Sequence, residues 1–297
     1  MGHAFETALA IDVGGTKIEA ALVDADGTVS GRTRVRTGGD DGEQLYRRVL
    51  EVVDGLRGAP FTVCGVGCGG PMTPGGVLVS PLNIPQWRNF PLRARLADLL
   101  GVEVYVDNDA KALALAEGWK GAAVGVRNFI GMVVSTGVGG GIVLDGRLLD
   151  GETGNAGHIG HVVVEPDGFA LPGHVPGVLE AEASGTAIAA ITGRPAQEAS
   201  AEVIERTGRM VGRAVGSVAN LLDLRLAVVA GSVALGFGPP FFAAAQAEID
   251  RVAALDHSSG TRIVPAGLGD EGPLVGAAAL GFRGRGFDPL DGGAFHA

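Results

Sequence analysis

Apolar residues run from Leu9 to Val13, broken by Asp12, and a partly alternating run follows from Lys17 to Val23. Between them stand Gly14-Gly15-Thr16, and Asp24-Ala25-Asp26-Gly27 closes the stretch. Such runs, bounded by turn residues, predict two antiparallel strands joined by a tight glycine turn. Met132 to Val134 and Val138 to Leu144 repeat the plan around Ser135-Thr136-Gly137, and Asp145-Gly146 closes the copy. Two such hairpins about half a chain apart suggest two similar domains that present glycine turns to one ligand. The alternative is a pair of turns with no chemistry.

The pattern also predicts a third strand over 28–36 and an amphipathic helix over 42–57 with Leu45, Val49, Val52, Val53 and Leu56 on one stripe. Further strands are expected at 61–67, 76–80, 102–106, 162–165, 226–230 and 262–265. Helices are expected at 91–100, 110–120, 180–191, 196–222 and 240–255, with a last one after Gly272-Pro273. Small residues Gly208, Gly212 and Gly216 on one face of the 196–222 helix predict close helix packing. Gly65-Val66-Gly67-Cys68-Gly69-Gly70 matches G-x-G-x-x-G, but Pro71 and Pro74 follow where a dinucleotide fingerprint must open a helix, so that reading is set aside. The expected division is 1–108, 109–280 and a flexible glycine-rich tail, 281–297.

Some positions are candidates for chemistry. Gly14 and Gly15 lack a Cβ, so their N–H groups can approach an anion, and Asp12 at the end of a buried strand suits a hydrated divalent cation beside it. Asp107-Asn108-Asp109 stands at a strand's carboxyl end, where open α/β sheets place ligands. Helix capping explains one of the three without any chemistry. His161 reads either as a ligand contact or as a hydrogen-bonded core histidine, Trp87 and Trp119 read as packing residues, and Lys111 reads as an exposed helix residue.

Composition narrows the classes. The chain has 297 residues, 46% hydrophobic and 19% charged, which describes a globular protein with a substantial core. A net charge of −10 without a basic cluster argues against nucleic acid as a partner. No run of about 18 apolar residues suggests a membrane partner, and no leader segment is expected. Cys64 and Cys68 are expected to be buried and reduced, as in a cytoplasmic protein.

Taken together, the segments 11–17, 107–110, 135–141, 160–168 and 276–278 resemble the ROK family of sugar kinases, over nearly the whole length from Leu9 to Leu280. The resemblance implies an α/β fold of two actin-like (ribonuclease H-like) domains with a cleft between them. It implies phosphoryl transfer from ATP with Mg2+ to a hydroxyl of a hexose or N-acetylhexosamine. On the matching positions Asp109 is the general base and Asn108 a sugar partner, with Gly76, Asn83, His158, His161 and Glu180 also on the sugar. Asp12 would hold Mg2+ through water. Gly14, Gly15, Thr16, Lys17, Thr136 and Gly137 would line the phosphates, and Gly231-Ser232 the adenosine. A homodimer is also implied.

Two departures from the family stand out. His158 replaces a glutamate that binds sugar hydroxyls, and one imidazole cannot match a carboxylate's acceptors. The family's three zinc-binding cysteines correspond to Leu171, Gly173 and Val178, so no structural zinc is expected. The loop is expected instead to be held by Phe169, Leu171, Val175 and Leu179 with Pro172 and Pro176. His158, His161 and His174 form an alternative metal group. Because part of the family represses transcription or could bind sugar without turnover, a regulatory or non-catalytic sugar-binding protein is the competing reading.

Overall fold

A computed structural model describes residues 7–291 and the backbone of 294–295. The described chain divides into two compact units. One holds the chain through Val124, the short segment Asp150–Ala156 and the chain from Leu268 onward; the other holds Gly125–Leu149 and Gly157–Gly267. The single division expected at Asp109 is thereby corrected.

In the first unit, β1 (Thr7–Val13) and β2 (Lys17–Asp24) pair antiparallel as predicted, with Asp12 opposite Glu19. β3 (Val29–Arg36) extends the hairpin at one edge. The amphipathic helix α1 (Gly42–Asp54) is capped by Asp41, whose carboxylate accepts the Gln44 N–H at 2.8 Å. It lays Leu45, Val49, Val52 and Val53 into the core. β4 (Val63–Cys68) joins β1 in parallel, and after α2 (Leu92–Leu100) comes β5 (Glu103–Asn108), parallel to β4. The strand order is β3-β2-β1-β4-β5. α3 (Asp109–Lys120) leaves directly from the end of β5.

No strand forms over 76–80. Gly75 and Gly76 both take positive φ and end a 3-10 turn, which leaves only single bridges from Val79 to Met72 and Phe90. Gly76 is also dictated by packing: a Cβ there would stand 2.3 Å from the Val106 carbonyl oxygen. Trp87 is buried, stacks on Phe90 and donates its indole N–H to the Gly42 carbonyl, so it packs as expected.

The second unit repeats the plan. β6 (Phe129–Val134) and β7 (Val138–Leu144) form the antiparallel hairpin, β8 (Arg147–Leu148) its edge, and β9 (Leu226–Ala230) and β10 (Arg262–Pro265) the parallel side. The order β10-β9-β6-β7-β8 is that of the first sheet, strand for strand. The expected 180–191 helix is two: α4 (Leu179–Ala183) and α5 (Gly185–Thr192). Ser184 between them is extended and caps the second by accepting the Ala187 N–H. α6 (Ala201–Leu222) packs on α8 (Pro239–Val252), with α7 (Ser232–Phe237) before it. A Cβ on Gly208 or Gly212 would stand 2.5 Å from a carbonyl oxygen of α8, which accounts for the small-residue face. The strand expected at 162–165 is only a bridge, Val163 to Val178.

The chain then returns to the first unit as α9 (Gly272–Gly284), which packs on α3, β1 and β4. Gly65 and Gly276 permit this approach, since a Cβ on Gly65 would overlap the Ala277 carbonyl and one on Gly276 would meet that of Ala112. Two glycines of the G-x-G-x-x-G stretch thus lie inside a strand, and no helix opens behind them. The tail expected to be flexible from Gly281 begins instead as the end of α9, and Phe287–Asp288 pairs with Ala294–Phe295. The remainder of that expectation, 292–293 and 296–297, lies outside the described residues. No described helix is long and apolar enough to cross a membrane.

Candidate active site

In the first unit the acidic positions converge on one glycine. The parallel register sets Asp12 beside Gly67, and Gly67 beside Asp107. A Cβ on Gly67 would lie 3.6 Å from Asp12 Oδ1 and 3.7 Å from the Asp109 Cα, so the Asp12 carboxylate and the Asp109 backbone flank the space that this missing side chain leaves. Asp12 is only 8% exposed. Burial, and then the charge of Asp109, push its carboxyl up to about 7 against the pull of Lys17. Asn108 caps α3 through the Ala110 N–H at 2.9 Å, and Asp109 Oδ1 accepts the same N–H at 2.8 Å.

The glycine turn lies beside these groups in sequence and register. The Gly14 N–H donates to the Lys17 carbonyl, and Thr37 ties the turn down through the Gly14 carbonyl at 2.7 Å. Gly15 and Thr16 are exposed. Asn83 is brought to the turn, since a Cβ on Gly15 would meet the Asn83 Cβ at 3.2 Å. Gly76 is buried under Val106 and offers no side of its own to a ligand. The Lys17 ammonium pairs with buried Glu19, which Arg32 and Arg34 also bind. Burial raises the Glu19 carboxyl, yet these three cations outweigh it and hold it below the usual range.

Lys111 corrects the expectation of an exposed helix residue. It is 1% exposed. Its ammonium meets Asp107 Oδ2 at 2.7 Å, Asp150 Oδ1 at 2.8 Å and the Gly154 carbonyl at 3.1 Å. Burial pushes the Asp107 carboxyl up in spite of Lys111, whereas Lys111 and Arg283 together hold Asp150 below its usual range against its own burial. Lys111 therefore docks the segment Asp150–Ala156, together with Asn155, which exchanges two hydrogen bonds with Met72. A signal for this was available: α3 is alanine- and leucine-rich all round, and such a helix is buried on every face.

In the second unit, four predicted positions meet at one place. The Ser135 N–H closes the turn on the Gly137 carbonyl, and Thr136 accepts from the Thr186 hydroxyl at 2.8 Å. Ser135 and Ser232 share a hydrogen bond of 2.9 Å between their hydroxyls. Gly231, with φ +102°, lies against β6 so closely that a Cβ would stand 2.3 Å from the Val134 carbonyl oxygen.

The predicted sugar positions of this unit sit at the start of β7. Glu180 Oε2 accepts the Val138 N–H at 2.6 Å, and Gly160 lies under the Val138 carbonyl. The His158 and His161 rings are 6.0 Å apart, and those of His161 and His174 are 5.8 Å apart. His174 Nε2 lies 3.5 Å from Glu180 Oε1. No three His, Cys, Asp or Glu among the described residues are placed to hold a metal ion. The loop core consists of Phe169, Leu171, Val178, Ala181 and Ala187; Val175, expected in it, is 62% exposed, and Leu179 joins the main core. The sequence reading missed Glu182, fully buried at the base of this loop.

A family model described as the ROK family matches residues 8–283. The N-acetylmannosamine kinase of Citrobacter koseri is 36% identical over 77% of this chain and 84% of its own length. The glucokinase of Thermotoga maritima is 39% identical over 61% of this chain and 58% of its own length. A ROK family glucokinase from Streptomyces griseus, solved with glucose and AMPPNP, superposes with a TM-score of 0.82 at 27% identity, over 93% of this chain and 99% of that one.

Proposed function

The chain belongs to the ROK family and is an ATP-dependent sugar kinase, and from that premise we propose that it phosphorylates a hydroxyl of a hexose or N-acetylhexosamine with Asp109 as general base. The observation that carries this reading is that the Asp12 carboxylate and the Asp109 backbone flank the space left by Gly67, close enough for the charge of Asp109 to act on Asp12.

A carboxylate suits the base role, because an alcohol proton becomes acidic only as the new O–P bond forms. Asn108 orients the base by capping α3 beneath it and offers an amide to a neighbouring sugar hydroxyl. In the second unit Thr136 and Gly137 bind donor phosphates, and Gly231-Ser232 lies against the nucleoside. There the absence of a Cβ at Gly231 lets the turn close on the Val134 backbone and so sets Ser232 beside Ser135. Gly14, Gly15 and Thr16 give main-chain donors in the first unit, and Lys17 acts at a distance through its bond to Glu19. His158, His161, Asn83 and Glu180 contact the acceptor, with His158 reducing the acceptor capacity that the family's usual glutamate provides. Gly76 serves the acceptor site by letting the 3-10 turn close on β5.

A divalent cation fits Asp12. A buried carboxylate held near neutrality by burial and by a second acid is a site where a positive ion relieves both effects. Mg2+ bound there through water would neutralise charge on the transferring phosphoryl group.

The test is ADP release from Mg-ATP across a panel of hexoses, N-acetylhexosamines and cyclitols, with Asp109→Asn in parallel. Sugar-stimulated, magnesium-dependent release that falls about a thousandfold in the variant is expected. Sugar binding without turnover in the wild type would instead establish a non-catalytic sugar-binding protein.

A further inference from the structure

Residues 162–178 form the longest stretch of the second unit without a regular element, and they separate His161 from Glu180. The stretch doubles back on itself, with the Val164 and Glu165 N–H groups both donating to the Gly177 carbonyl and the Gly177 N–H to that of Phe169. Gly177 is required at the return, since its φ is +71° and a Cβ would overlap the Glu165 carbonyl. His174, at the far end of the fold-back, is thereby set against Glu180.

Two arginines of α6 hold this fold-back at separate points. Arg206 pairs with the carboxylate of buried Glu182 and donates to its carbonyl at 3.1 Å. The other Glu182 carboxylate oxygen accepts the Phe169 N–H, and Gly168 leaves room for it. Seven residues on, two helical turns along the same face, Arg213 donates to the Val164 carbonyl at 3.1 Å and to Glu165 Oε2 at 2.9 Å. Its Nε is fixed by Glu248 of α8 at 2.8 Å. Glu248 is held down at about 2, first by Arg251, then by Arg213 against its burial, so this anchor stays ionised through the working range.

We infer that Arg206 and Arg213 are positioning residues for the acceptor sugar: through Glu182 and Glu165 they fix the 162–178 segment so that His174 and Glu180 face the acceptor as one preset pair. This rests on the kinase reading and adds to it a specific means of holding the acceptor site. Two separated charge-assisted clamps suit the task, because the segment has little regular hydrogen bonding and the small apolar cluster of Phe169, Leu171 and Val178 gives it few directional contacts.

The experiment compares wild type with Arg206→Lys, Glu182→Gln and Arg213→Gln, using N-acetylmannosamine and glucose as acceptors. Glu182→Gln keeps an acceptor for the Phe169 N–H while removing the ion pair, so it tests the clamp where a truncation would leave a buried charge unpaired. Expected is an acceptor KM raised about tenfold in Glu182→Gln and Arg213→Gln, less in Arg206→Lys, with the KM for ATP within about twofold of wild type. Hydrogen exchange over 163–178 accelerates in the same order. An unchanged acceptor KM in folded variants, or equal rises in both KM values, overturns the inference. A variant that does not fold is replaced by the remaining two, which test separate clamps. Where the wild type turns over neither sugar, the acceptor that it does turn over in the panel takes their place; a wild type inactive across the whole panel refutes the kinase reading by itself, and the exchange measurement then decides whether the clamps hold the segment.

Discussion

In the first unit the strand ends beside the glycine turn carry Asp12, Asp107 and Asp109. In the second sheet Ser135 follows β6, the counterpart of the Asp12 strand, and Gly231-Ser232 follow β9, the counterpart of β4, so hydroxyls and bare backbone stand at that edge. The strand order is the same, so the sheet does not decide the chemistry. The residues placed at its carboxyl edge do. One copy gathers negative charge in a low-dielectric place, which suits proton abstraction and a cation; the other presents neutral donors, which suit phosphate oxygens.

The comparison breaks most visibly at Asp109. Asp109→Asn should lower kcat about a thousandfold while leaving sugar affinity, measured calorimetrically, nearly unchanged. Retained turnover would mean that the acid edge is not where the proton goes.

Asp12→Asn comes next, with opposite effects on rate and stability. A fall in kcat of about a hundredfold is expected. The folded chain keeps the Asp12 proton up to about 7, whereas an unperturbed carboxyl loses it near 3.8. Between those values the folded state binds more protons, so stability falls as pH rises and the loss is complete above about 7. The amide has no such loss. Its Tm at pH 8 should exceed wild type by about 5 °C, with the gain shrinking as pH falls toward 4. A pH-independent difference would show that Asp12 does not titrate in this way.

The neutral edge is probed by Gly231→Ala, where a positive φ and a 2.3 Å approach to Val134 forbid a side chain. A rise of about tenfold in the KM for ATP and a Tm lower by about 5 °C are expected, with the acceptor KM unchanged. The smallest effect is expected from phenanthroline. It should leave Tm and circular dichroism as they were, because the loop of the second unit is held by Glu182, Arg206 and Arg213 in the place of cysteine ligands. Unfolding on chelation, with zinc recovered in stoichiometric amount, would reverse that conclusion.

Much of the candidate site is legible in the chain because its proposed residues lie in short local patterns. Both hairpins, the acids after β5 and the Gly231-Ser232 turn each need only a few consecutive residues to declare themselves. The parts that escaped depend on partners far apart. Lys111 meets Asp150 across 39 residues, and Arg206 meets Glu182 across 24, and no periodicity marks either pair in advance. The domain division failed for the same reason, since the return of Asp150–Ala156 and α9 to the first unit is decided by packing at Gly65, Gly276 and Lys111. The secondary structure went wrong where a glycine or serine broke an expected element, as at Gly76 and Ser184.

The seating of α9 on β1 and β4 also dictates an order of events during synthesis. The first sheet emerges early, but the helix that covers it is made of residues 272–284 and leaves the ribosome more than two hundred residues after β1. The second unit finds all its strands within 129–265 and can complete its own sheet while the first still waits. A stalled or truncated product would therefore contain one finished half and one with a bare apolar face, the form of nascent chain most in need of a chaperone.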